Sequence, residues 1–258
     1  MSNQPEVELQ TETPQTGARP ADSLPAEKAH GGRFPLLAPD ALDDDQLALY
    51  NTIAGPPRAG GPFLVVDDDG HLAGPFNALL YAPQIGHAVQ ALGAALRFGG
   101  ELSDRTRELV ICAVAAERAS TYEWYAHSRV ALTVGITPDE LESLRGGFVP
   151  PGLPDDERSA LTFTAALLNG RTVSAKDHAT ALTQHGHSGI TELSVLVGYY
   201  RALAGLLAAG AVEAPAASAP PANTPVTPAP DSPPADTEST PTSQPHSLTT
   251  TTTKGEHS

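Results

Sequence analysis

From Phe34 to Glu213, apolar side chains recur at three- and four-residue steps, and nowhere do they alternate with period two for long enough to build a central strand. This pattern excludes sheet architectures and predicts an all-α protein whose helices meet along apolar stripes. Helices are expected over Ala41 to Ile53, Pro83 to Phe98, Ser103 to Arg118, Thr121 to Val134, Thr137 to Arg145, Asp155 to Leu168, Ser174 to Gln184 and Thr191 to Ala209, with a helical turn at Asn77 to Tyr81. Their ends carry local signals. Ser103 and Ser174 are N-cap residues, Gly99-Gly100 and Gly135 terminate helices, and Thr137-Pro138-Asp139-Glu140 is a capping box with proline at the first helical position. Between Gly55 and Gly74 the chain is rich in Gly, Pro and Asp and reads as a loop with a short extended piece at Phe63-Leu64-Val65-Val66.

The flanks lack this pattern. Residues 1–33 and 214–258 are polar and Pro-rich, too poor in large apolar groups to offset chain entropy, and are expected to be a disordered arm and a disordered tail around one domain at 34–213. The tail holds PxxP spacings (Pro225 to Pro228, Pro230 to Pro233) that suit either partner binding or a solvated chain. The formal charge is −15, and 21 acidic against 11 basic residues leave −10 on the domain itself. Such a surface repels phosphate backbones and anionic lipid, so nucleic acid and membrane partners are not expected, and a cytoplasmic location is. Neither a secretory signal nor a run of 18 apolar residues is visible. The single cysteine, Cys112, permits no intramolecular disulfide, CxxC pair or Cys-based zinc site. Its place in an apolar helical run predicts a buried, inert thiol.

One set of charged residues can carry chemistry. Glu123 and His127 are four apart and share a helix face, and Glu108 lies one helix earlier, where a helical hairpin can bring it opposite the imidazole. A carboxylate beside an imidazole orients the ring and makes an acid/base pair. The same spacing also occurs as an ordinary surface ion pair. Glu and His both ligate metals, yet the Glu-x-x-His pair of di-iron bundles is absent, and no metal is expected. His178, His185 and His187 are expected to be solvated loop residues. Tyr122, Trp124 and Tyr125, on several faces of one helix, can wall a pocket or pack between subunits.

The run Leu102-Ser103-Asp104-Arg105-Thr106-Arg107-Glu108-Leu109-Val110-Ile111, followed by Tyr122-Glu123-Trp124-Tyr125-Ala126-His127-Ser128-Arg129-Val130-Ala131 and Val134-Gly135-Ile136, resembles the core helical hairpin of carboxymuconolactone decarboxylase-like proteins. Gly74-Pro75-Phe76, Leu96-Arg97-Phe98 and Leu196-Val197-Gly198-Tyr199-Tyr200 extend the likeness over 34–213. The resemblance implies an alkyl hydroperoxidase D-like helical bundle that assembles as a homotrimer or homohexamer. Peroxidase members carry Cys-x-x-Cys-x-x-x-His with an upstream glutamate. Aligned on His127, the cysteine slots hold Ser120 and Glu123, and Glu108 takes the place of the glutamate. The proton-handling residues are kept and both thiols are missing, which removes the means for dithiol peroxide reduction.

By resemblance to the cysteine-free decarboxylase branch, the expected function is cofactor-free acid/base catalysis on a small carboxylated lactone or related organic acid: decarboxylation, isomerisation or lactone opening. In that scheme His127 supplies a proton to carbon, Glu123 orients it and Glu108 assists. Arg105 or Arg107 binds a substrate carboxylate, with Arg97 and Arg129 as further candidates and Tyr122 and Tyr125 as pocket walls. Two other functions compete: an oxidoreductase using Cys112 or an external thiol, and a non-catalytic assembly protein that recruits a partner through its tail.

Overall fold

The computed structural model describes residues 27–56, 60–170 and 172–215. These form helices α1 (Asp44–Ala54), α2 (Pro75–Leu79), α3 (Pro83–Phe98), α4 (Asp104–Glu117), α5 (Thr121–Thr133), α6 (Pro138–Arg145), α7 (Asp155–Leu168) and α8 (Ala175–Gly210). Among the described residues the only β-pairing is one antiparallel bridge, Val66 to Leu72, inside the loop before α2. The all-α expectation therefore holds.

The ends of the helices follow from local chemistry. Asp43 accepts from the Gln46 N–H while Gln46 reaches back to the Asp43 N–H, so α1 begins at Asp44 rather than Ala41. Ser103 and Ser174 cap α4 and α8, and Thr137 and Glu140 form the reciprocal box that starts α6. Gly135 has φ +85°, the left-handed geometry expected after α5. The two helices expected at 174–184 and 191–209 are one element broken at Gly186, whose φ of 64° and ψ of −175° are not helical.

At the centre lies α4, which packs against α5, α6, α7 and α8. It is buried nearly all round: Glu108, Leu109, Val110, Ile111, Cys112 and Val114 are all 1% exposed or less. Each fully buried Leu or Ile there contributes on the order of 1.5–3 kcal/mol. One core cluster joins α3, α4, α7 and α8 through Leu96, Val110, Phe163 and Leu196, and a second joins α4 to α6 and α7 through Leu109, Ile136, Leu144 and Leu161. A third packs the 63–80 segment against α1, α5 and the end of α8. By length and composition α8 could cross a bilayer. Gly186 interrupts it, however, and Leu193, Leu196, Leu203 and Leu207 are buried in the bundle, as befits a core helix.

Part of the segment expected to be a disordered arm has a defined place. Residues 27–33 dock on the bundle: Lys28 Nζ lies 2.5 Å from Asp69, the Ala29 N–H donates to Asp67 and the Arg33 N–H donates to Gly210 O at 2.6 Å. This docking is polar, so hydrophobic periodicity carries no trace of it. The remaining expectations for the arm and the tail, PxxP spacings included, fall outside the described residues.

Candidate active site

Helices α4 and α5 form the expected antiparallel hairpin, and it brings the three predicted residues together. His127 Nδ1 lies 2.8 Å from Glu108 Oε2, and His127 Nε2 lies 3.6 Å from Glu123 Oε2. Glu108 is 0% exposed, Glu123 3% and His127 5%, which rules out a solvated surface pair. The roles differ from the expectation. Glu108, not Glu123, makes the hydrogen bond that fixes the ring, accepting the Nδ1 proton and leaving Nε2 directed at Glu123. At 3.6 Å, Glu123 is beyond hydrogen-bonding distance of Nε2, and its Oε1 is buried with no partner among the described residues. Burial, reinforced by the Glu108 charge and only partly offset by His127, pushes the Glu123 carboxyl up to about 7. Near neutrality this group therefore holds or releases a proton.

A cavity opens beside this row, lined by Phe63, Phe76, Arg97, Tyr122, Glu123, His127, Tyr199 and Tyr200 among others. Its closed interior is about 20 Å³, enough for one water-sized molecule. Beyond that interior the cavity mouth is open to solvent. Two glycines make the walls possible. A Cβ on Gly93 would stand 2.2 Å from the Tyr199 hydroxyl oxygen, and one on Gly74, already at φ +60°, would stand 2.1 Å from the Tyr122 ring.

The arginines separate. Arg97, half-buried at the cavity, has its guanidinium 5.9 Å from the centre of the Phe63 ring. Arg107 is buried behind the row, bonded to Asp104 at 2.7 Å with Nε 3.9 Å from Glu108 Oε1, and does not line the cavity. Arg105 does not fit the expected carboxylate clamp. It is fully engaged by Glu157 at 2.9 Å, Glu140 at 2.5 Å and the Gly135 carbonyl, tying α4 to α6 and α7. Arg129 stacks on the Tyr125 ring at 4.0 Å and pairs with Glu27.

Tyr122 lines the cavity as expected, its hydroxyl donating to Leu64 O at 3.0 Å. Tyr125 does not line it. Its hydroxyl donates to Glu27 and accepts from the Leu64 N–H, locking the 63–66 loop over α5. Burial and the Glu27 carboxylate push the Tyr125 phenol up to about 12. Trp124 faces away, under Arg145. Sequence reasoning gave neither Phe63 nor Tyr200 a place in the site. Tyr200 in fact stands edge-on to the His127 ring, centroids 4.9 Å apart.

Cys112 is wholly buried on α4, and burial and the Glu108 charge raise its thiol far above the usual range, which disfavours a thiolate near neutrality. The described groups spaced for a metal are Asp67, Asp69 and His71. There Asp67 already accepts from the N–H groups of Ala29, Asp69 and His71, and Asp69 is tied to Lys28, a turn-stabilising arrangement. His185 bonds the Asp156 carbonyl at 3.1 Å instead of lying free in a loop.

Residues 83–147, which span α3 to α6 and hold Arg97, Glu108, Glu123 and His127, match the model of the carboxymuconolactone decarboxylase family. The resemblance carried by Leu102–Ile111 and Tyr122–Ala131 is borne out. No curated protein matches the chain. Among solved structures, a peroxidase-related protein from Ralstonia eutropha JMP134 with an alkylhydroperoxidase AhpD core is 18% identical over 70% of this chain and 91% of its own, with a TM-score of 0.57. A peroxidase-related protein from Silicibacter sp. TM1040 is 16% identical over 76% and 97%, with a TM-score of 0.55. The debrominase Bmp8 in complex with 2,3,4-tribromopyrrole is 14% identical over 72% and 92%, also with a TM-score of 0.55. At these identities the likeness establishes a shared fold.

Proposed function

We propose that this chain, with its carboxymuconolactone decarboxylase segment at 83–147, is a cofactor-free acid/base enzyme acting on a small carboxylated lactone or related organic acid. The observation that carries the reading is the buried row Glu108–His127–Glu123 opening onto a cavity where Arg97 is the lining cation among the described residues. Glu108 holds the ring in one tautomer, Nε2 is the base, and Glu123, poised near neutrality, holds the proton to be moved. Arg97 binds a substrate carboxylate against the Phe63 face. In a decarboxylation, the C–C electron pair would pass into the conjugated lactone as an enolate. The proton on Glu123, relayed through His127, would then close it at carbon. No thiol, oxidant or reductant enters that balance.

His127→Gln tests the reading. Assayed on a panel of carboxylated lactones and β-keto acids, it is expected to lose roughly 10²–10⁴-fold in rate. A wild type that turns over none of the panel, or a variant as active as wild type, would leave a helical binding protein as the better account. The same proposal includes self-association. Ile85 and Leu92, one helical face of α3, are 64% and 41% exposed, and light scattering on the full chain should find a homo-oligomer.

A further inference from the structure

We propose that Tyr200 is a catalytic hydrogen-bond donor to an oxyanion that develops on the substrate, which confines the site to compounds whose reacting carbon is conjugated to a carbonyl. This rests on the acid/base reading above and narrows its substrate class.

Four observations converge on Tyr200. It comes from α8, lines the cavity and stands edge-on to the His127 ring at 4.9 Å, so its ring and the imidazole border the same space. Among the described residues, that hydroxyl has no hydrogen-bond partner, although Tyr200 is only 9% exposed. The hydroxyl is not among the fully enclosed polar atoms of the bundle, so it reaches the open space of the cavity, where an oxygen arriving with a ligand can accept from it. Among the described residues, the charged and titratable groups around it include His127, Glu108, Glu123, Tyr199 and Arg97. Burial and the two carboxylates hold the phenol well above its ordinary value, with Arg97 only partly opposing them, so Tyr200 stays protonated and offers a donor.

The chemistry then selects the ligand. The two acidic side chains disfavour negative charge at the carbon end of the cavity. An enolate or dienolate formed there by loss of a proton or of carbon dioxide needs a fixed donor aimed at its oxygen. Tyr200 supplies one without surrendering its own proton, while proton transfer to carbon stays with His127 and Glu123. A substrate whose carbanion is not conjugated to a carbonyl would leave Tyr200 unused. Tyr199 packs edge-on against Tyr200 at 5.2 Å and fixes the ring from the other side.

The experiment uses two probes, 4-hydroxy-3-nitrobenzoate and 3-nitrobenzoate, which share a carboxylate. Only the first can present a phenolate oxygen, and its ionisation is read by visible absorbance. Wild type should bind the ionised hydroxy probe at least about 10-fold more tightly than 3-nitrobenzoate and shift its bound ionisation toward phenolate. Tyr200→Phe should abolish both the preference and the spectral shift while still binding 3-nitrobenzoate. Arg97→Gln should weaken both probes without changing their ratio. A Tyr200→Phe protein that keeps the preference overturns this inference and leaves the acid/base reading standing. A wild type that binds neither probe overturns carboxylate recognition and this inference together.

Discussion

Exchanging Glu123 for glutamine removes one ionisable proton from the floor of the cavity and leaves its shape nearly unchanged. In the wild type, burial holds this carboxyl at about 7 against an ordinary 4.5, with the Glu108 charge adding to the shift and His127, 3.6 Å away, opposing it. The direction shows that desolvation outweighs the ion pair. Because the folded-state value lies above the unfolded one, the neutral carboxyl contributes stability that is fully present below 4.5 and is lost as pH rises through about 7. At about 1.4 kcal/mol per unit, the loss is on the order of 3 kcal/mol. Denaturant unfolding of wild type and Glu123→Gln across this window should give curves that converge at acid pH. The variant should gain about 3 kcal/mol relative to wild type on the alkaline side. If the proton on Glu123 is the one transferred, wild-type rates fall above about pH 7 and the variant is slow throughout. Parallel stability curves would refute the argument, since they would mean the carboxyl ionises as freely folded as unfolded. A variant that loses ground at high pH would show that a charged Glu123–His127 pair dominates instead.

Other substitutions separate architecture from chemistry. Arg105→Ala should destabilise the fold by about 3 kcal/mol, because it strands the buried Glu157 carboxylate, while leaving substrate KM unchanged in a steady-state assay. Gly74→Ala should cost more than about 2 kcal/mol in thermal or denaturant unfolding, since it combines a positive φ with a collision into the Tyr122 ring. Cys112→Ala should lower stability by about 1 kcal/mol and leave any hydroperoxide consumption unaltered; loss of consumption would restore a thiol mechanism.

Much of the helical framework was legible in the sequence because its determinants are local. The Ser103 cap, the Thr137–Glu140 box and the Gly135 terminator each act within about four residues, and three- and four-residue apolar steps define which face turns inward. Glu123 and His127 were legible as a pair for the same reason, since one helical turn puts them on one face. What local pattern does not encode is which charged side chain meets which. Glu108 reaches Nδ1 from 19 residues away because α5 folds back along α4. Arg97, Arg105 and Arg107 look alike in sequence, yet helix phase and packing send one to the cavity, one into a tie between helices and one behind Glu108. Phe63 and Tyr200 enter from a loop and a distant helix that only the folded bundle brings to His127. Backbone propensity and capping are settled within a turn, whereas the site is made by contacts between segments far apart in the chain, so the helices were set by the sequence locally and the chemistry by how they pack.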